Sequence, residues 1–415
     1  MIRFVRGHPL WVLVACGVVI RLVLAFTTTG PGSDTVALRT VAGFLEADFL
    51  HAYEVNDDWI GGTEVPAWPY PPAYFPFILA ALGIHNATAL PFHGVIQLAP
   101  ILADVGIALA VYAYLGWRGA AERLRLAGTA LVLLGPSFIA ISGYHGQIDS
   151  VAILPGVLAV MAWERRPAAS RARDAGLLIG LGAAVKTVPG LLVLPLIAAA
   201  RSGRERVWLV GAAVAVPAIL FLPFFIADPG ALKWLGTYGG IAGRGGLSLV
   251  LQPSLIHDQY TRGILAPDPN GVSELVADNS RWIAVVVIAA LAAFLLRYRP
   301  APVDGAVLLW LAIYAFVPNF LMQYIIWGLP FFIMAGYLRE TAILQLALVP
   351  ATVITYQSSV EGGLDSGLAT LYVVTMIGLW AFWLAALVTV ATRIARRGPA
   401  APHEVQTPLA NLAAT

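Results

Sequence analysis

The stretch "YPPAYFPFILAALGI", Tyr70 to Ile84, decides how the whole chain is threaded. It is apolar, but it falls short of the roughly 17–25 residues a membrane helix needs. If it crossed, the "RGAAERLR" loop and most later arginine-rich loops would change sides. The Pro71–Pro72 pair at its start suits the first turn of a helix. It reads as a half-buried helix on the outer face rather than a span.

The rest of the chain sets the frame for that reading. The 415 residues are 59% hydrophobic and 12% charged, and mean hydropathy is +0.79. A soluble domain carries about 25% charged residues. The chain therefore reads as all-α, a polytopic transmembrane helical bundle. Expected spans cover 10–26, 93–115, 126–141, 149–163, 175–186, 188–200, 206–226, 282–297, 304–317, 321–338, 341–356 and 367–392. That is about twelve, several of them short, with the pair around Lys186 broken or tilted. The first run contains Arg21 and shows no small-residue cleavage site, so it reads as a retained helix. The lone Cys16 excludes an internal disulfide framework and a cysteine metal cluster. No basic block points to nucleic acid, and the net charge is only +2.

Arginine placement orients the bundle. Arg3, Arg6, Arg118, Arg123, Arg125, Arg165, Arg166, Arg171, Arg173, Arg201, Arg204, Arg206, Arg297, Arg299, Arg339, Arg393, Arg396 and Arg397 all fall on one side of these spans. That side is expected to be the cytoplasm, with both termini on it, in a plasma-membrane protein. The membrane domain is then 1–397. Residues 27–92 form a long first external loop and 227–281 a second. In the first, "DTVALRTVAGFLEADFL" reads as an amphipathic helix along the interface. Residues 398–415 read as a disordered cytoplasmic tail.

Several polar residues need a reason. In "TTTGPGSDT", Ser33 or Asp34 can cap the helix that follows; equally, Asp34 is a carboxylate at the outer face, able to take a proton from a hydroxyl. Asp104 lies mid-span in "IQLAPILADVGIALAVY" and suits an ion pair with Arg21 or a neutral acid inside the bundle. In "SGYHGQIDS", Asp149 can cap the helix beginning at Val151, whereas His145 and Gln147 have no capping job and suit sugar hydroxyls. The chain has two lysines, and Lys186 is embedded in "LLIGLGAAVKTVPGLLVLPLI". It either snorkels or serves a lipid phosphate as a point charge. Arg244, in a Gly-rich loop, can serve the same anion. Gln323 and Tyr324 follow a Pro-Asn break, and Tyr324 and Trp327 are interface aromatics, or stack on a sugar face or line a lipid groove.

In order along the chain, these motifs resemble the GT-C superfamily of polytopic glycosyltransferases. The nearest likeness is to GPI mannosyltransferase I-like enzymes and bacterial polyprenyl-phosphate-mannose-dependent mannosyltransferases. The resemblance rests on "GSDTVALRTVAGFLEAD", "WPYPPAYFPFILAAL", "LADVGIALAVYAYL", "ISGYHGQIDSVAIL", "LGAAVKTVPGLLVLPLI" and "PNFLMQYIIWGLPFF". It implies inverting transfer of a sugar, mannose by the nearest likeness, from a polyprenyl-phosphate donor to a hydroxyl of a glycolipid or glycan acceptor on the non-cytoplasmic face. It makes Asp34 the general base. Tyr70, His145, Gln147, Asp149, Gln323 and Tyr324 then bind substrate, with Lys186 and Arg244 on the donor phosphate. The GPI-type enzymes carry Asp-x-Asp, whereas Thr35 and Val36 follow Asp34 here. No metal ligand is assigned, and a divalent metal stays open. Asp57 and Asp58 match no motif. A rival reading is a transporter or lipid flippase with a path over Arg21, Asp104 and Lys186. A third is a non-catalytic partner of another membrane enzyme.

Overall fold

The computed structural model describes residues 8–58, 66–237, 243–262, 269–361 and 365–397. Among them every regular element is a helix. The main helices are α1 (Pro9–Thr27), α2 (Gly32–Ala47), α3 (Phe75–Ala87), α4 (Leu98–Trp117), α5 (Glu122–Leu133), α6 (Asp149–Arg165), α7 (Ala168–Val185), α8 (Val193–Ala199), α9 (Gly203–Ala227), α10 (Ser280–Tyr298), α11 (Pro302–Phe316), α12 (Leu329–Met334), α13 (Leu338–Glu361) and α14 (Ser366–Arg397). Short helical turns join them.

The twelve expected spans fall largely on helix, but among the described residues seven helical stretches are long and apolar enough to cross a membrane. They are Pro9–Thr27, Phe92–Trp117, Glu122–His145, Gly203–Ala227, Ser280–Tyr298, Leu338–Gln357 and Ser366–Arg397. Val188–Ala199, Pro302–Phe316 and Met322–Met334 are shorter. For the pair around Lys186 the shortfall has a local cause. Helix α7 stops at Val185, Lys186 is extended (φ −152°, ψ 131°), and a 3-10 turn from Val188 restarts the chain at Pro189. The break expected around Lys186 is therefore real. Lys186 closes the helix with its N–H on the Gly182 carbonyl at 3.0 Å, and beyond that bond its side chain is aimed by tertiary contacts. The expected tail, 398–415, lies outside the described residues.

Helix α3 is short and buried on one face, as the Tyr70–Ile84 stretch suggested. A 3-10 turn at Pro72–Tyr74 feeds a helix of 13 residues with Pro76 in its first turn. At 1.5 Å per residue this is about 20 Å, against a hydrocarbon core of about 30 Å. Phe75, Ile78 and Ala81 form its buried face, and Phe77 and Ile84 are exposed. The buried face joins a small core of its own. Tyr53, Phe75, Phe221 and Phe224 meet with ring centroids 5.4–6.4 Å apart, a spacing that suits tilted and edge-to-face pairs. This core seats the segment between α1 and α4 on the end of α9. A larger core runs through α4, α6, α11, α12 and α14.

One polar network crosses the apolar interior. Arg21 of α1 and Asp104 of α4 pair at 2.9 Å, with side chains 1% and 0% exposed. The Arg21 guanidinium also donates to the carbonyls of Gly17, Val132 and Leu133. Ser150 donates to the other Asp104 oxygen at 2.5 Å, and Ser142 lies 3.2 Å from Ser150. The pair thus ties α1, α4 and α5 to both ends of the 142–150 segment. Removing one partner of a buried pair costs about 3–5 kcal/mol, because the other charge is stranded. Asp104→Ala should therefore lower the thermal midpoint in detergent well below wild type, and Arg21→Met with Asp104→Met should recover most of it. A wild-type melt for Asp104→Ala would show that the pair carries no such weight.

Candidate active site

The 142–150 segment begins as a helix and then widens. Pro136 opens the turn, and residues Ile139–His145 form a π-helical segment. Such wide turns recur at functional sites. It ends at Gly146, whose φ of +76° favours glycine. A Cβ there would sit 2.7 Å from Gln97 Cγ. The turn throws His145 and Gln147 toward the start of α2. Gly30, at φ +59°, allows the approach from the other side, since a Cβ would lie 2.3 Å from the Tyr144 carbonyl oxygen.

Asp34 sits where the two approaches meet. It lies in the first turn of α2, where the helix dipole favours a carboxylate. The expected capping role is absent: Pro31 is the N-cap, and no side chain caps the helix. Instead Asp34 Oδ2 accepts from His145 Nε2 at 2.5 Å and from the Gln147 amide. His145 Nδ1 lies 3.1 Å from the Tyr356 hydroxyl of α13. In the neutral imidazole a proton on Nε2 leaves Nδ1 to accept from Tyr356. Two donors thus occupy Oδ2, and Oδ1 is the atom left for a ligand. The side chain keeps 38% exposure. Withdrawal from water pushes the Asp34 pKa up. The positive charge that His145 carries when protonated and the bonds from His145 and Gln147 outweigh it, and Lys186 adds to them, so the pKa lies below its ordinary 3.8.

Asp149 and Lys186 form the second half of the site. Asp149 was expected to cap the helix from Val151; the helix begins at Asp149 itself, and no side chain caps it. Asp149 Oδ1 accepts from Lys186 Nζ at 2.7 Å and from the Trp327 indole at 2.5 Å. Lys186 is 5% exposed, and Asp149 is fully buried. The ammonium lies 5.0, 5.4 and 5.5 Å from the ring centroids of Tyr70, Trp327 and Tyr324, within cation–π range. A lysine has three N–H donors, so the Asp149 pairing leaves capacity for an anion.

The structure therefore joins Asp34, His145 and Gln147 directly, and Tyr70, Asp149, Lys186 and Tyr324 beside them. It does not bring Arg244 or Gln323 into the cluster. Arg244 lends its carbonyl to Tyr372 at 2.6 Å, and its Nε is buried without a hydrogen-bond partner. Gln323 is half-buried on the turn that carries Tyr324. Asp57 pairs with Lys233 at 3.0 Å, both side chains more than half exposed. Sequence reading missed Tyr356, which lies 211 positions from its partner His145. Among the described residues no group of three or more His, Cys, Asp or Glu is placed to coordinate a metal ion.

A buried cation beside an aromatic wall, within the field of a carboxylate with one oxygen free, suits displacement at a centre bearing an anionic leaving group. The glycosyltransferase family 87 model matches residues 68–323. The chain belongs to glycosyltransferase family 87. No curated protein matches it. The family 87 match contains Tyr70, His145, Gln147, Asp149, Lys186 and Arg244, and Asp34 and Tyr356 lie outside it. Membership makes the chain a multi-pass membrane glycosyltransferase, in line with its GT-C-like reading.

Two substitutions probe this assembly. Gly30→Ala should leave the bundle folded yet abolish sugar transfer, because the new Cβ drives α2 away from Tyr144. Tyr356→Phe removes the group that faces His145 Nδ1 and should slow transfer about tenfold, on the scale of one lost hydrogen bond. Near-wild-type rates in folded protein would show that these contacts do not set the site.

Proposed function

We propose that this family 87 enzyme moves a hexose, mannose by resemblance, from a polyprenyl-phosphate donor to a hydroxyl of a glycolipid or glycan, with inversion. Asp34 Oδ1 accepts the proton as the acceptor oxygen attacks the anomeric carbon. The bond from that carbon to the phosphate oxygen breaks, and the polyprenyl phosphate leaves with the electron pair. Lys186 faces the departing phosphate, and Asp149 and Trp327 hold the ammonium in place. His145 and Gln147 fix Asp34, while Tyr70, Tyr324 and Trp327 offer ring faces to the sugar. The reading places the termini in the cytoplasm and the site on the external face, as the arginine pattern implies. The observation that carries it is the Asp34 carboxylate, held by two donors on one oxygen and within the field of Lys186.

The transporter reading loses ground on the same geometry. Arg21 and Asp104 are saturated by one another, by three carbonyls and by Ser150. A proton path would need one of them to exchange partners.

The test is release of polyprenyl phosphate by the purified chain from a panel of polyprenyl-phosphate sugars. Asp34→Asn should lower turnover by about 10²–10⁴, the usual worth of a positioned base, with donor binding kept. Full transfer by Asp34→Asn would overturn the base assignment. The pH dependence carries a sign. A lowered pKa keeps Asp34 ionised at neutral pH, so its limb of the rate profile lies in acid, below 3.8. Its contribution to stability is likewise present above the unfolded value of about 3.9 and is lost as pH falls through the folded one. An Asp34-dependent limb between about pH 5 and 8 would contradict this.

A further inference from the structure

Away from the site, two cavities adjoin along the α13–α14 seam. One, of about 290 Å³, is floored by Val307, Leu311, Phe332 and Leu344 and rimmed by Phe382 and Arg393. The other, of about 260 Å³, continues past Ala347, Val374 and Leu379. Leu344 and Phe382 line both, so the two make one groove. Its floor is buried, with Val307 at 1% and Leu344 at 3%, whereas Phe382 on its rim is 38% exposed. A Cβ built on Gly378, in the groove wall, meets nothing within 4 Å. The groove is therefore open where a side chain of ordinary size would close it.

Its charge is confined to one end. Tyr337, Glu340 and Arg393 line the mouth. Arg393 donates to the Tyr337 hydroxyl at 3.1 Å, and its guanidinium lies 5.9 Å from that ring's centroid. That bond leaves most of the guanidinium's five N–H donors for another acceptor. Arg339 flanks the mouth in sequence, and Arg396 and Arg397 follow in the last turn of α14, all exposed. Arg339, Arg393, Arg396 and Arg397 outnumber the two nearby acids, Glu340 on the rim and Asp304 within the field of Arg393 and Arg397, so an anionic group is favoured there. An apolar trough with a cationic mouth on a membrane bundle matches an amphipathic anion, and its volume reaches the range of about 300–1,000 Å³ that ligand sites occupy. The reacting lipids have a different address: Tyr356 of the active site lies sixteen residues along α13 from Glu340, about 24 Å of helix.

We propose that this groove is a binding site for an anionic glycerophospholipid, with its phosphate on Arg393 and one acyl chain along the α13–α14 seam over Leu344, Phe382 and Gly378. The bound lipid fills the seam and braces α13, the helix that presents Tyr356 to His145.

The test is native mass spectrometry of the full chain, delipidated in detergent and titrated with phosphatidylglycerol or phosphatidylethanolamine. Wild type should saturate with one phosphatidylglycerol and prefer it to phosphatidylethanolamine. Gly378→Phe fills open space, so it should fold and melt as the delipidated wild type does while binding phosphatidylglycerol about tenfold more weakly. Arg393→Gln should keep binding but lose the preference for the anionic lipid. Binding that never saturates, or that is unchanged in Gly378→Phe, would overturn the proposal. So would displacement of the bound lipid by polyprenyl phosphate alone, which would assign the groove to the donor.

Discussion

A charge pair inside the apolar bundle holds the site in shape. Arg21 and Asp104 meet at 2.9 Å with almost no exposure. In hydrocarbon neither can stand alone, so the two helices that carry them have one register in which both are satisfied. The second Asp104 oxygen is spoken for by Ser150, and Ser150 meets Ser142. The two serines bracket the turn that carries His145 and Gln147. A buried electrostatic constraint thus becomes a positional one. The turn cannot drift from α1 without breaking the Asp104 network, and α1 leads directly into Gly30 and Asp34.

From that constraint the chemistry divides into two halves on one wall. Asp34 faces the recess with one oxygen held and the other open. Asp149 likewise spends one oxygen, on Lys186 and Trp327, but it is fully buried. Two carboxylates close in space therefore have unlike jobs. One is available to a proton, and the other holds a cation that would otherwise be costly at this depth. The aromatic rings around Lys186 complete the cage without neutralising it. In the proposed transfer this division has a purpose: one half accepts the proton and the other stabilises the leaving group.

Much of this was legible in the sequence, and the part that was not has a common physical reason. The Arg21–Asp104 pair could be read because two charges inside apolar runs must find each other. The half-buried Tyr70–Ile84 helix could be read from its length and prolines, and the break at Lys186 from the residues around it. Asp34 and Asp149 were harder. Each stands at a helix start, where capping is the ordinary role, and in each the side chain turns to a partner from a distant stretch of the chain instead. His145 is 111 positions from Asp34 and 211 from Tyr356. Helical periodicity reports which face of a segment is buried and says nothing about which distant residue faces it. The span count exceeded the long helices because short apolar pieces such as α8 and α12 fill the interior without crossing it alone.

The central claim is that Asp34 Oδ1 and Lys186 stand on either side of the reacting carbon. A structure of the chain with a non-hydrolysable polyprenyl-phosphate sugar and its acceptor tests it most directly. The account predicts the acceptor hydroxyl within about 2.6–3.2 Å of Asp34 Oδ1 and the donor phosphate against Lys186. A complex in which the phosphate lies away from Lys186, or in which another residue takes the acceptor hydroxyl, would contradict it.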